Sequence, residues 1–178
     1  MWSDYTPEEI VGKTRIINKL ELVKSFLDGS NLKEILLTDR KNLSNLLRTF
    51  RGEKKSGVYC VYDGEKKEVL YVGKSKNLRK RMRSQLLGVA DRKTGLRRFR
   101  RLFYSVLKIE KRMKKKDYSK LPIERKKELI KLYQDLIFRS NNFLRVCLTD
   151  GHLEAIVLEQ ILIECFKDKN QCKYNSQV

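Results

Sequence analysis

Gly57-Val58-Tyr59-Cys60-Val61-Tyr62-Asp63-Gly64-Glu65-Lys66-Lys67-Glu68-Val69-Leu70-Tyr71-Val72-Gly73 decides how this chain folds. Two runs of β-branched and aromatic residues flank Asp63-Gly64, a dipeptide that reverses the chain tightly. They predict a β-hairpin whose loop is lengthened by Glu65, Lys66 and Lys67. The hairpin opens on the word Gly57-Val58-Tyr59 and closes on its mirror, Tyr71-Val72-Gly73, so pairing brings two phenols side by side. Lys74-Ser75-Lys76-Asn77-Leu78-Arg79-Lys80-Arg81-Met82-Arg83 follows, six cations without an acid, and predicts a helix over about 76–87 with Ser75 as its cap. Leu78, Met82 and Leu86 mark its buried stripe, and Arg81 borders that stripe one turn from Leu78. A half-buried arginine beside paired tyrosines can grip a phosphate oxygen, because guanidinium offers a planar fork of donors. Arg79, Lys80 and Arg83 point further outward, as a solvated face or as generic phosphate contacts.

Upstream, residues 6–51 read as helical. Thr6-Pro7-Glu8-Glu9 opens a helix with a hydroxyl cap, an early proline and a glutamate three residues on. Ile16, Leu20, Val23 and Leu27 recur at helical spacing before Asp28-Gly29. Asn31 to Glu34 can open a second, short helix, and Leu43, Leu46, Leu47 and Phe50 form the stripe of a third that Gly52 closes. This appendage, residues 1–55, either touches DNA or packs to complete a core.

Downstream, residues 92–131 hold 17 lysines and arginines against four acids, which places +13 of the chain's net +19 there. Leu96, Phe99, Phe103, Val106 and Leu107 give that stretch an amphipathic helical period, and Pro122 opens another helix ending near Phe138. A third strand is expected at 143–148 and a final helix at roughly 153–167. The organisation is thus β-β-α, a basic helical insertion over 92–140, then β-α, all within a domain spanning 56–178.

The chain's 178 residues suit one domain with a small appendage. Its 41 basic residues against 22 acidic ones exceed what solubility needs and steer it toward polyanions. Met1 to Glu9 has neither a basic region nor an apolar core, so no signal peptide is expected, and no run approaches the length of a membrane span. Cys60, Cys147, Cys165 and Cys172 lack the C-x-x-C spacing of a zinc site, and the single histidine cannot build a multi-histidine one. Reduced thiols point to an intracellular, cytoplasmic setting.

The last helix breaks the structural pattern. Ala155, Ile156, Val157, Leu158, Ile161, Leu162 and Ile163 make it apolar nearly all round, yet Glu159 sits in the middle. A carboxylate there is costly unless a cation compensates it. That cation is either a core-facing arginine or a divalent metal, most simply Mg²⁺, which takes oxygen ligands from one or two carboxylates plus phosphate and water. An ordinary ion pair would favour a passive polyanion clamp over a hydrolase. Glu154 suits the helix start and Glu164 faces Lys167, so neither needs a special account.

Gly57-Val58-Tyr59, Tyr71-Val72-Gly73 running on to Arg81, Leu158 to Ile163 around Glu159, and Lys173-Tyr174-Asn175 together resemble the GIY-YIG nucleases. The nearest likeness is to the N-terminal nuclease domain of the bacterial excision-repair endonuclease subunit, over roughly 56–88 and 143–175. The resemblance implies an α+β fold, a three-stranded antiparallel sheet flanked by helices, and metal-dependent hydrolysis of double-stranded DNA. It implies Tyr59, Tyr71, Lys74, Arg81, Glu159 and Asn175 as the catalytic set, with Glu159 holding Mg²⁺ or Mn²⁺. Asn170 competes with Asn175, which lies far beyond Glu159 for the family pattern. Valine replaces isoleucine in both words, and the basic insertion is foreign to the compact repair domain.

In this scheme Tyr59 is the candidate general base, its phenol made more acidic by Lys74, Arg81 and the metal, while the sequence leaves open which of the two tyrosines removes the proton. Tyr71 positions the water or phosphate, and Arg81 stabilises the transition state. Lys76, Arg79, Arg83, Arg97, Arg98, Arg100, Arg101, Lys108, Lys111 and Arg112 are the expected DNA contacts, with Lys114, Lys115 and Lys116 in reserve. A stand-alone site-specific enzyme of restriction type, working as a homodimer, is the expectation. A repair or mobile-element nuclease, or a non-catalytic nucleic-acid binder on the same fold, is the alternative.

Overall fold

The computed structural model describes residues 32–50, 55–66, 68–139, 141–167 and 172–175. The helix expected over 6–28, Gly52 and Asn170 lie outside them. The chain runs β1 (Leu32–Leu36), α1 (Arg40–Thr49), β2 (Ser56–Asp63), β3 (Glu68–Ser75), α2 (Leu78–Met82), a π-helical turn (Arg83–Leu87), β4 (Val89–Ala90), β5 (Arg97–Arg98), α3 (Arg101–Lys111), α4 (Lys115–Lys120), α5 (Ile123–Ile137), β6 (Asn142–Thr149) and α6 (His152–Lys167).

The hairpin forms where the sequence places it. Asp63 closes β2, and its carboxylate accepts from the backbone N–H groups of Glu65 (3.0 Å) and Lys66 (3.1 Å), which fixes the turn. The register sets Tyr59 opposite Gly73 and Val61 opposite Tyr71, with a bulge after Val61 that leaves Leu70 unopposed. β2 is central and pairs antiparallel with β6 on its other side.

The sheet has four strands, in the order β1-β6-β2-β3, where three were expected. The extra strand is Leu32–Leu36, read above as the start of a helix. Tertiary pairing overrides helical propensity here: β6 offers an open edge, all five β1 residues pair with it, and Glu34 forms an ion pair with Arg145 directly opposite. Arg145 in turn lies over the Tyr62 ring, 5.1 Å from its centroid. Residues 32–50 therefore join the sheet and its core. In α1 the predicted stripe Leu43, Leu46, Leu47 and Phe50 is buried, at about 1.5–3 kcal/mol per side chain. Asp39 caps this helix by accepting from the Asn42 N–H at 2.8 Å.

One sheet face carries Tyr59, Val61, Tyr71, Leu144 and Val146 and is covered by α1, α2, α3 and α5. The other carries Val58, Cys60, Val69, Val72 and Cys147 and is covered by Ala155, Leu158, Leu162 and Ile163 of α6. Cys60, Cys147 and Cys172 are buried free thiols.

β3 is an edge strand, and it is shielded. Cys172 N–H donates to Val69 O (2.6 Å) and Tyr174 N–H to Leu70 O (2.9 Å). The Asn175 amide exchanges both its groups with the Val72 backbone, accepting at 2.8 Å and donating at 2.7 Å. Residues 172–175 thereby satisfy an edge that would otherwise template aggregation. Tyr174 and Lys173 anchor the segment to Glu110 of α3. Among the described residues no helix is long and apolar enough to cross a membrane.

Candidate active site

Glycine at both words is enforced by close approach. A Cβ on Gly57 would lie 2.2 Å from the Cys147 carbonyl oxygen, and one on Gly73 would lie 2.7 Å from the Tyr59 hydroxyl and 2.8 Å from the Tyr71 ring. The phenols thus pack over Gly73, with ring centroids 6.1 Å apart. Tyr59 is fully enclosed, and its hydroxyl donates to Gln85 Oε1 at 2.7 Å. Gln85 belongs to the π-helical turn and is itself fully buried. Tyr133 of α5 donates to the Gln85 backbone carbonyl at 2.5 Å, which pins that turn. Sequence reading missed Gln85 and Tyr133 altogether. The one available signal was a polar side chain adjoining the stripe Leu78-Met82-Leu86.

α2 begins at Leu78 with Asn77 as its cap, accepting from the Lys80 N–H at 2.9 Å. Ser75, expected in that role, accepts instead from the Asn77 N–H at 3.0 Å and so braces the cap. Arg81 is half-buried, as its border position implies, and its Nε is buried without a partner.

At Tyr59, burial outweighs the neighbouring side-chain cations that were expected to make the phenol more acidic. Burial, together with Tyr71, pushes the Tyr59 pKa well above its ordinary value, and Arg81 only partly opposes that rise. Burial raises Tyr71 too, opposed by Arg81, by the Gln85 side chain and by Arg101. Lys74 is not among the main influences on either phenol, and its ammonium is paired with Glu159.

Glu159 is buried, as expected, but it has a side-chain counter-ion. Its Oε1 accepts from the Lys74 backbone N–H at 3.0 Å, and its Oε2 is paired with the Lys74 ammonium. The partner is a lysine on the edge strand, not a core arginine. The carboxylate therefore sits at the edge of β3, on a helix packed against the sheet face opposite to the phenols. Among the described residues no group of three or more His, Cys, Asp or Glu side chains could hold a metal. Asn175, placed in the catalytic set above, engages the Val72 backbone with both ends of its amide.

Arg81 also lines a cleft of about 900 Å³ together with Arg98, Arg100, Arg101, Lys108, Lys114 and Lys115, with Val89, Phe99, Tyr104 and Met113 among its apolar walls. Arg98 pairs with Asp91 at 2.5 Å, and Arg97 donates to the Leu87 carbonyl at 2.7 Å. Lys76, Arg83, Lys111 and Arg112 are exposed and Arg79 half-exposed, all outside the cleft lining. The basic helices thus put part of the predicted DNA-contact set beside Arg81.

Residues 55–136 match the model of the UvrC-like GIY-YIG domain. This chain carries a GIY-YIG domain. The comparisons with curated proteins and with solved structures gave no match to the chain. The GIY-YIG match takes in the basic helices that the motif resemblance left aside, and it stops before β6 and α6. Of the expected catalytic set, Tyr59, Tyr71, Lys74 and Arg81 lie inside the matched stretch, whereas Glu159 and Asn175 lie beyond it. The family is one of nucleases, and its fold class agrees with the α+β architecture seen here.

Proposed function

We propose that this GIY-YIG domain is a divalent-metal-dependent endonuclease acting on double-stranded DNA, in the stand-alone, site-specific manner of restriction enzymes. One observation carries the reading: Arg81 joins the cationic cleft to the phenol pair. It lines the cleft, its charge bears on both tyrosines, and its Nε is buried with nothing to bond. A buried unpaired guanidinium nitrogen is costly, and a phosphate oxygen is the group that would satisfy it.

Arg100, Arg101, Lys108, Lys114 and Lys115 hold the phosphate backbone, and Arg81 draws one phosphate toward Tyr71. Charge building on the phosphoryl oxygens is stabilised by Arg81. Tyr59 does not take the proton from water. It is enclosed, its own proton is committed to Gln85, and it serves by holding Tyr71 in place. Glu159, as a single carboxylate, fits Mg²⁺ or Mn²⁺ with phosphate and water completing the shell, on condition that the Lys74 ammonium yields. That ammonium is 29 % exposed on a flexible stem and can turn to an incoming phosphate. When bound, such a metal supplies Lewis-acid stabilisation of the leaving oxygen. One site per chain cuts one strand, so double-strand cleavage calls for a homodimer on DNA.

The Lys74–Glu159 pair favours a second reading, a polyanion clamp without catalysis, since it satisfies the carboxylate without metal. Plasmid DNA incubated with the protein and Mg²⁺, with and without chelator, decides between the two. Chelator-sensitive cuts at fixed positions, lost in Arg81→Ala and Glu159→Ala, are expected. Tight binding with no cleavage across Mg²⁺ and Mn²⁺ establishes the clamp.

A further inference from the structure

Gln85 meets the phenol pair from the helical side, and its side-chain amide is fully buried. Its Oε1 takes the Tyr59 proton at 2.7 Å. Its Nε2 is buried and makes no hydrogen bond. An amide whose carbonyl is engaged and whose NH₂ is idle costs stability, and in a closed core such an atom calls for an account. The Gln85 side chain also bears on Tyr71, where it opposes the rise that burial causes. The turn that presents it is π-helical, a geometry that inserts a residue and re-aims side chains, and Tyr133 locks that turn through the Gln85 carbonyl.

We infer that Gln85 is a positioning residue that makes the two motif tyrosines unequal: its carbonyl keeps Tyr59 protonated, and its idle N–H group awaits the oxygen of an ionised Tyr71. The charged and titratable groups facing the pair agree with this order. Tyr59 is met by Tyr71, Arg81 and Tyr133. Tyr71 is met by Arg81, Arg101 and Tyr59, so two cations bear on it, and both line the cleft. Tyr71 is therefore the phenol that can lose its proton toward substrate, and Tyr59 is its fixed neighbour. Only the consequence for cleavage rests on the nuclease reading; the order of ionisation does not.

The test is a titration of the full chain, free of DNA and metal, with isotope-labelled tyrosine followed by NMR at Cζ. Tyr59→Phe and Tyr71→Phe assign the two signals among the eight tyrosines. Tyr71 is expected to titrate before Tyr59. Gln85→Met removes both ends of the amide and should raise the Tyr71 midpoint by about one pH unit. Gln85→Glu keeps the acceptor for Tyr59 and removes the donor, so it should raise the Tyr71 midpoint at least as far; it decides the matter if the methionine variant does not fold. Ionisation of Tyr59 first, or a Tyr71 midpoint unmoved in every folded variant, overturns the inference. In cleavage assays kcat/KM should rise with pH through the Tyr71 midpoint, and that rise should move with the midpoint in the variants. A wild-type chain that never cuts DNA yet shows the expected titration order would remove the nuclease reading and leave this one standing.

Discussion

Gly57→Ala tests the glycine whose added methyl would be the most crowded among the described residues. The added methyl would sit 2.2 Å from the Cys147 carbonyl oxygen, where about 3.0 Å is the shortest contact a real Cβ makes, and 2.8 Å from Leu78 Cδ1 on the other side. The obstacle on one side is backbone of the paired strand β6, so no rotamer change relieves it; β2 and β6 must part by about 0.8 Å. A ladder bond stretched by that much leaves hydrogen-bonding range. Two broken ladder bonds at about 1 kcal/mol each, with about 2 kcal/mol for overpacking against Leu78, give about 4 kcal/mol. A domain of ordinary stability holds about 5–15 kcal/mol, so the variant should remain folded but weakened. Urea unfolding followed by far-ultraviolet circular dichroism should show the midpoint falling by about 2 M, taking a slope of about 2 kcal/mol per molar. Gly151→Ala is the control, because nothing lies within 4 Å of its methyl. Its effect should stay below about 1 kcal/mol, since reduced chain entropy and a poorer helix cap oppose each other. Equal damage from both substitutions, or an unmoved midpoint for Gly57→Ala, would refute the steric reasoning.

Gly73→Ala pushes into the Tyr59 hydroxyl and the Tyr71 ring, both enclosed, and should cost about 1–3 kcal/mol while lowering any cleavage more than binding; stability and kcat measured on one preparation check this. Asn175→Ala leaves the Val72 N–H and carbonyl without partners, at about 1–3 kcal/mol, and faster hydrogen exchange at Val72 is the expected sign. Glu110 is held below the usual carboxylate range by its hydrogen bond from Lys173 and by Tyr174, so its contribution is complete above the unfolded value of about 4.3 and is lost as pH falls through the lower folded one. Protection factors at Cys172 and Tyr174, corrected for the intrinsic pH dependence of exchange, should therefore fall in acid, and Glu110→Gln should abolish that dependence. Removing cleft cations, as in Lys114→Ala with Lys115→Ala, should weaken DNA binding evenly across sequences and flatten its salt dependence by about one unit of slope for each phosphate no longer neutralised.

The hairpin, both glycine words, the stripe of α1, the start of α5 after Pro122 and the buried course of α6 were legible because each rests on local chemistry: periodicity, a turn dipeptide, a fixed proline. β1 was not. Leu32-Lys33-Glu34-Ile35-Leu36 satisfies a helical and an extended period equally over so short a run, and only the open edge of β6 makes the choice. The shielding of β3 by residues 172–175 escaped for the same reason. It depends on pairing between segments about a hundred residues apart, and its asparagine reads in sequence like a functional polar group.

At the site, sequence identified which residues are unusual but not whom they meet. Glu159 was recognised as a carboxylate in apolar company, which is correct, yet its partner is set by the edge of β3, where Lys74 offers both an N–H and an ammonium. The phenols were placed together correctly, yet acidity was argued from nearby charge alone. Burial of an aromatic hydroxyl against Gln85 outweighs one neighbouring guanidinium, because desolvation acts on the whole anion whereas a cation on a flexible stem acts at a distance. On the proposed nuclease reading, such a site keeps its phenols neutral until substrate arrives, and a phosphate backbone drawn onto Arg81 adds to what Gln85 does for an ionised Tyr71. That reading also requires Lys74 to exchange the Glu159 carboxylate for phosphate, so a Lys74–Glu159 pair that persists with DNA bound would leave the polyanion clamp as the better account.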